Sequence, residues 1–67
     1  MMEIVVNGER QQVREGMRLA ALLETMGLAR DRVAVERNRE IVRRPHWETL
    51  ELSPEDRLEI VQFVGGG

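Results

Sequence analysis

Residues 57–64 read RLEIVQFV, and three glycines, Gly65, Gly66 and Gly67, follow them. Aliphatic, β-branched and aromatic residues at this density favour a pleated strand. Side-chain alternation then sends Leu58 and Ile60 to one face and Val61 and Phe63 to the other. A strand with one apolar face needs a sheet to sit in, and the start of the chain supplies a neighbour. Residues 2–6, MEIVV, place Met2, Ile4 and Val6 on one side. Asn7-Gly8 is the strongest short-range hairpin signal, because both residues accept positive φ. ERQQVR (9–14) reads as a polar return strand anchored by Val13, and Glu15-Gly16 breaks it.

From Leu19 the period changes. Leu19, Leu22, Leu23 and Met26 stand at i, i+3, i+4 and i+7, one face of a short helix. Gly27 suits the position just past its end, with Leu28 packing back on the last turn. The start is unmarked, since Arg18 is no N-cap. VAVERN (33–38) presents Val33 and Val35 together, and EIV (40–42) reads as a short partner strand ended by Pro45. HWETLEL (46–52) is an irregular connection plugged by Trp47, Leu50 and Leu52, and Ser53-Pro54-Glu55-Asp56 is a turn by composition. The order is hairpin, helix, two short strands and a final strand, an α+β arrangement with one main helix on a small mixed sheet. If the helix is a right-handed crossover, the first and last strands lie side by side in the centre. That is the β-grasp, or ubiquitin-like, architecture. It assigns residues 1–64 to one domain and 65–67 to a flexible glycine tail.

Composition narrows the chemistry. A chain of 67 residues has room for one core and buries only about 60% of the surface that its unfolded form exposes. Hydrophobic residues at 42% and charged residues at 33% describe a soluble globular protein. No apolar run approaches the roughly 18 residues of a membrane span, and no signal-peptide pattern opens the chain, so a cytoplasmic location without a membrane partner is expected. Cysteine is absent, which removes disulfides, thiolate nucleophiles and thiolate ligands; with His46 the single histidine, no metal site is expected. All ten basic residues are arginine, so no lysine serves as a nucleophile. Ser53 and Thr25 have no histidine nearby in sequence. An enzyme with its own active site is not expected, nor is a bound cofactor. A net charge of −2 argues against nucleic acid; Arg37, Arg39, Arg43 and Arg44 form a local basic run that reads most simply as a solvated face. His46 is expected in solvent, and Trp47 in the core or anchoring a loop.

Four stretches carry a resemblance along the whole chain. VNGE (6–9), LLETMGL (22–28), VAVERN (33–38) and DRLEIVQFVGGG (56–67) resemble the ThiS-type sulfur carriers of thiazole biosynthesis. The most specific part is a strand running directly into a terminal Gly-Gly. One departure is Arg39, where the family usually has glycine after asparagine; it leaves the geometry of the second hairpin turn open. An isolated Gly-Gly-Gly would read as a frayed end, but inside this resemblance it reads as a reactive tail.

The resemblance implies a carrier that acts as co-substrate of other enzymes. An adenylating partner of ThiF type, related to ubiquitin-activating enzymes, uses MgATP to convert the C-terminal carboxylate to an acyl adenylate. A persulfide donor such as a cysteine desulfurase then leaves a thiocarboxylate, and a thiazole synthase of ThiG type takes the sulfur into the thiazole of thiamin. Gly67 would carry the adenylate and then the sulfur, with Gly65 and Gly66 as its slim tail. The chemistry is consistent with this. An α-carboxyl group with a reference pKa of about 3.5 is an anion at neutral pH and a poor electrophile until activated. Glycines without Cβ atoms let the chain approach a nucleotide closely. Alternatives are a sulfur carrier for molybdopterin or tRNA thiolation, a ubiquitin-like protein modifier, and a non-catalytic β-grasp interaction or RNA-binding module.

If the first and last strands are neighbours, Val5, Val61 and Phe63 form an exposed apolar partner-docking patch beside the tail. The competing reading is a β-bulge near Val61 that turns Phe63 into the core.

Overall fold

The computed structural model describes residues 1–64; the glycine tail at 65–67 lies outside the described residues. Strand β1 (Met2–Val6) is followed by β2 (Glu9–Val13), helix α1 (Leu19–Thr25), β3 (Val33–Arg37), β4 (Glu40–Ile41) and β5 (Arg57–Gln62). Short 3₁₀ turns occupy Arg30–Arg32 and Arg44–His46. The sheet order is β2-β1-β5-β3-β4. β1 and β5 run parallel, with Val5 opposite Arg57 and Val6 opposite Leu58, and the other neighbours are antiparallel. The expected central pair is therefore present.

One sheet face and one helix make the core. Met2, Ile4, Val6, Val13, Val33, Val35, Leu58 and Ile60 are buried together with Leu19, Leu22 and Leu23 of α1. Trp47 and Leu52 fill the space beside the helix. The Trp47 indole donates to the Val42 carbonyl at 2.8 Å. Val42 N–H still donates to Val35 C=O at 2.9 Å, but the Val42 carbonyl is taken by Trp47, and β4 stops at Ile41, one residue short of the expected 40–42.

The helix explains its own unmarked start. Arg18 makes no side-chain cap. The first amides are met instead by the connection that follows β4: Leu19 N–H donates to Leu50 C=O at 3.0 Å, and Ala20 N–H to Trp47 C=O at 2.8 Å. Backbone from elsewhere thus satisfies donors that usually need a Ser, Thr or Asp. At the other end Gly27 has φ +70°. Leu28 N–H reaches Leu23 C=O and Gly27 N–H reaches Glu24 C=O, a Schellman motif. Met26, expected on the buried face, is exposed, because the chain turns at Gly27 and Leu28 packs against the core in its place.

Both hairpins are two-residue turns with positive φ throughout. Asn7 and Gly8 have φ of +50° and +84°; Asn38 and Arg39 have +51° and +73°. The second turn is therefore tight despite Arg39. An arginine held in the left-handed region costs about 1–2 kcal/mol.

Candidate functional site: the outer sheet face and the exit of the last strand

The register of β5 against β3 is unbroken from Leu58 to Gln62, and burial alternates from Arg57 to Val61. Leu58 and Ile60 are buried, while Val61 and Phe63 are 55% and 52% exposed. Phe63 N–H still donates to Arg32 C=O at 2.7 Å, so β5 remains attached to the start of β3 past its last assigned residue. No bulge turns Phe63 inward. Ala34 lies opposite Val61 in the register and is also exposed, and Val64 follows in solvent. The result is an apolar area on the uncovered face where the chain leaves the sheet.

Val5 does not belong to it. It is only 9% exposed, and the register explains why. Its neighbours on either side are Arg10 and Arg57. The Arg10 guanidinium is ion-paired with Glu3, which lies on the same side of β1 as Val5. Val5 shares a row with Arg57, four residues before Val61, so roughly 13 Å separate the two along the strand. The intervening row holds Glu59 opposite Glu36. The outer face is thus charged over its first half and apolar at the exit, and the patch reduces to Ala34, Val61 and Phe63.

Two polar constructions frame β5, and sequence reasoning saw neither. At its start Asp56 is 4% exposed, yet its carboxylate is fully engaged. It accepts from Arg37 Nε at 2.9 Å, Asn38 Nδ2 at 3.1 Å and Ser53 N–H at 2.8 Å. Asn38 Oδ1 in turn accepts from Arg57 N–H at 2.9 Å. The Ser53–Asp56 turn and the β3–β4 turn are thereby locked to one carboxylate. Arg37 consequently leaves the arginine run; Arg39, Arg43 and Arg44 stay exposed. Further along, the Asn7 carboxamide takes up where β1 stops. Ile60 N–H donates to Asn7 Oδ1 at 2.7 Å, and Asn7 Nδ2 donates to Ile60 C=O at 3.1 Å. The Asn-Gly pair announced the turn; the residue's second use depends on which strand lies alongside.

Catalytic groupings are sparse. Among the described residues no three His, Asp or Glu side chains lie together as a metal site would require. His46 is exposed, and Trp47 is buried in the core. Thr49, a hydroxyl that the sequence reading passed over, spends its Oγ1 on the His46 carbonyl at 3.4 Å. Thr25 Oγ1 donates to Leu22 C=O at 2.6 Å, leaving it a helix-end role. A depression of about 650 Å³ lies between β2 and α1, with Gln11, Val13, Met17, Leu22 and Thr25 among its lining. No helix among the described residues is long and apolar enough to cross a membrane.

The model of the ThiS family matches residues 1–67, the whole chain. The chain belongs to the ThiS family. The sulfur carrier protein ThiS of Bacillus subtilis is 46% identical over 46 residues, covering 69% of this chain and 70% of that protein. A thiazole synthase of Paramagnetospirillum magneticum is 42% identical over 66 residues, 98% of this chain, and one of Magnetococcus marinus is 41% identical over the same length. The chain spans only a fifth of the length of these two synthases. Among solved structures, the thiamine biosynthesis protein ThiS from Geobacter metallireducens superposes with a TM-score of 0.82 at 30% identity, covering 98% of this chain and all of that one. ThiS membership and this neighbour agree with the β-grasp arrangement of five strands and one helix.

Proposed function

We propose that this chain is a sulfur carrier for thiamin thiazole formation, and that Gly67 is its reactive residue. The carrying observation is the family match, which extends through Gly67. In this reading an adenylating partner of ThiF type uses MgATP to join AMP to the Gly67 carboxylate, releasing pyrophosphate. The terminal sulfur of a persulfide, such as that of a cysteine desulfurase, displaces AMP to give an acyl disulfide. A second thiol then attacks the donor's sulfur, which releases the Gly67 thiocarboxylate and leaves the thiol and the donor joined as a disulfide. A thiazole synthase then accepts the sulfur; the names of the two synthase relatives support that partner. The chain itself is a substrate here, not a catalyst, and binds no cofactor of its own. It acts in the cytoplasm. The chemistry requires a free carboxylate on Gly67 at the moment of activation, so a polypeptide continuing beyond it must first be cleaved there.

The body of the domain serves recognition. Val61 and Phe63, with Ala34, offer an apolar contact beside the exit, and Gly65 and Gly66 give the reacting end a narrow approach. Val5 takes no direct part. The test is intact-mass measurement after incubation with the adenylating enzyme, MgATP and a sulfur donor. Exchange of one oxygen for sulfur on Gly67 is expected; an unchanged mass with a partner proven active on another carrier overturns the reading.

A further inference from the structure

The parallel ladder between β1 and β5 ends at the pair Val6–Leu58, with Asn7 N–H donating to Leu58 C=O at 2.8 Å. From there β1 turns away into the hairpin, while β5 continues toward the exit. The next β5 residue facing this side is Ile60. Its N–H and C=O are taken by the two ends of the Asn7 carboxamide, at 2.7 Å and 3.1 Å. A primary amide reproduces the donor and acceptor of a peptide group, so this side chain acts as one further residue of strand. It can do so because Asn7 sits at φ +50°, where asparagine is among the few side-chain-bearing residues readily tolerated. On the opposite side β5 is held by β3 and by the bond from Phe63 N–H to Arg32 C=O. The exit segment is thus gripped from both edges, and the grip on one edge is a single side chain.

We propose that Asn7 is a positioning residue: its carboxamide fixes the direction in which Val61, Phe63 and Val64 leave the sheet. The inference rests on the carrier reading insofar as it concerns sulfur loading. Asn7 lies sixty residues from Gly67 in sequence and has no reacting atom of its own. Its effect is geometric. Transfer reactions lose on the order of a hundredfold in rate for a displacement of about 1 Å, so loosening the strand at Ile60 reduces loading without unfolding the domain.

The test uses Asn7→Gly, which keeps a two-residue turn of positive φ and deletes only the carboxamide. A matched control, Val13→Ala, weakens the core on β2 and leaves Ile60 untouched. Amide hydrogen exchange is the first readout. In Asn7→Gly, Ile60 and Phe63 are expected to exchange at least tenfold faster relative to Leu22 than in the parent protein; in Val13→Ala the three shift together. The second readout is the rate of thiocarboxylate formation with the adenylating enzyme, MgATP and a persulfide donor, at a temperature where all variants are folded. Asn7→Gly is expected to fall about tenfold or more and Val13→Ala to match the parent. Unchanged exchange at Phe63, or equal loading by both variants, overturns the proposal. Should Asn7→Gly fail to fold, Asn7→Asp takes its place, since it tolerates the turn and lacks the donor to Ile60 C=O. If the parent itself takes no sulfur, the carrier reading fails, and the exchange ratio alone decides whether Asn7 governs the exit.

Discussion

Replacing Phe63 with arginine separates recognition from stability. Phe63 is 52% exposed. A phenylalanine contributes roughly 150–250 Å² of surface, so roughly 100 Å² is covered in the domain and a similar area is open to a partner. At about 25 cal/mol per Å² the covered half is worth at most about 2.5 kcal/mol. Residual burial in the unfolded chain and the aliphatic stem of arginine recover part of this, leaving a net loss near 1 kcal/mol. For a domain of this size that lowers the melting temperature by about 4–8 °C. A buried phenylalanine would instead cost about 3–5 kcal/mol, enough to threaten the fold. Toward a partner, losing the open half and desolvating a guanidinium costs about 2 kcal/mol or more, close to thirtyfold in Kd. A thermal melt followed by Trp47 emission and a titration with the adenylating enzyme measure the two effects in one preparation. Global unfolding of Phe63→Arg, or unaltered affinity in a well-folded variant, would refute the reasoning.

Other outcomes follow from particular residues. Arg39→Gly relieves a side chain held at φ +73°, and after the entropy of the added glycine is subtracted it should raise stability by about 0.5–1 kcal/mol in a urea titration. Asp56→Ala leaves Arg37, Asn38 and the Ser53 amide without their shared acceptor and should cost about 3 kcal/mol by the same measurement. Adding one residue after Gly67 should leave the melt unchanged yet abolish loading, because it displaces the carboxylate by up to about 3.5 Å. Mass spectrometry before and after incubation shows both the loading and whether the extra residue has been trimmed.

Much of the arrangement is legible in the chain because local rules agree with one another. The alternation in MEIVV and RLEIVQFV, the Asn7-Gly8 turn and the change of period at Leu19 each specify an element, and right-handed crossover geometry orders the strands. What escaped is non-local. The start of α1 carries no cap because its donors are met by Leu50 and Trp47, which no window around Arg18 contains. Val5 looks exposed from alternation alone; its cross-strand neighbours, Arg10 and Arg57, come from two different strand registers. Asp56 reads as a turn residue, and only the juxtaposition of two turns makes it the hub for Arg37, Asn38 and Ser53. Exposure of Phe63 is decided by the absence of a bulge in β5, a detail that one sequence leaves balanced.

The sheet order β2-β1-β5-β3-β4 also governs when the chain can fold. β5 occupies the middle of the sheet but is supplied by residues 57–62, so an N-terminal fragment that ends before residue 57 has at most two hairpins and no strand to join them. A lone hairpin is marginal in water, and a seven-residue helix is too short to persist unaided. The helix must also wait for carbonyls from residues 47 and 50. Nucleation therefore depends on closing loops of some thirty to fifty residues, which places folding among the slower, high-contact-order cases and makes it all-or-none. A nascent chain stays open until β5 has emerged, so the strand that carries the exit segment is also the one that commits the domain to its native state.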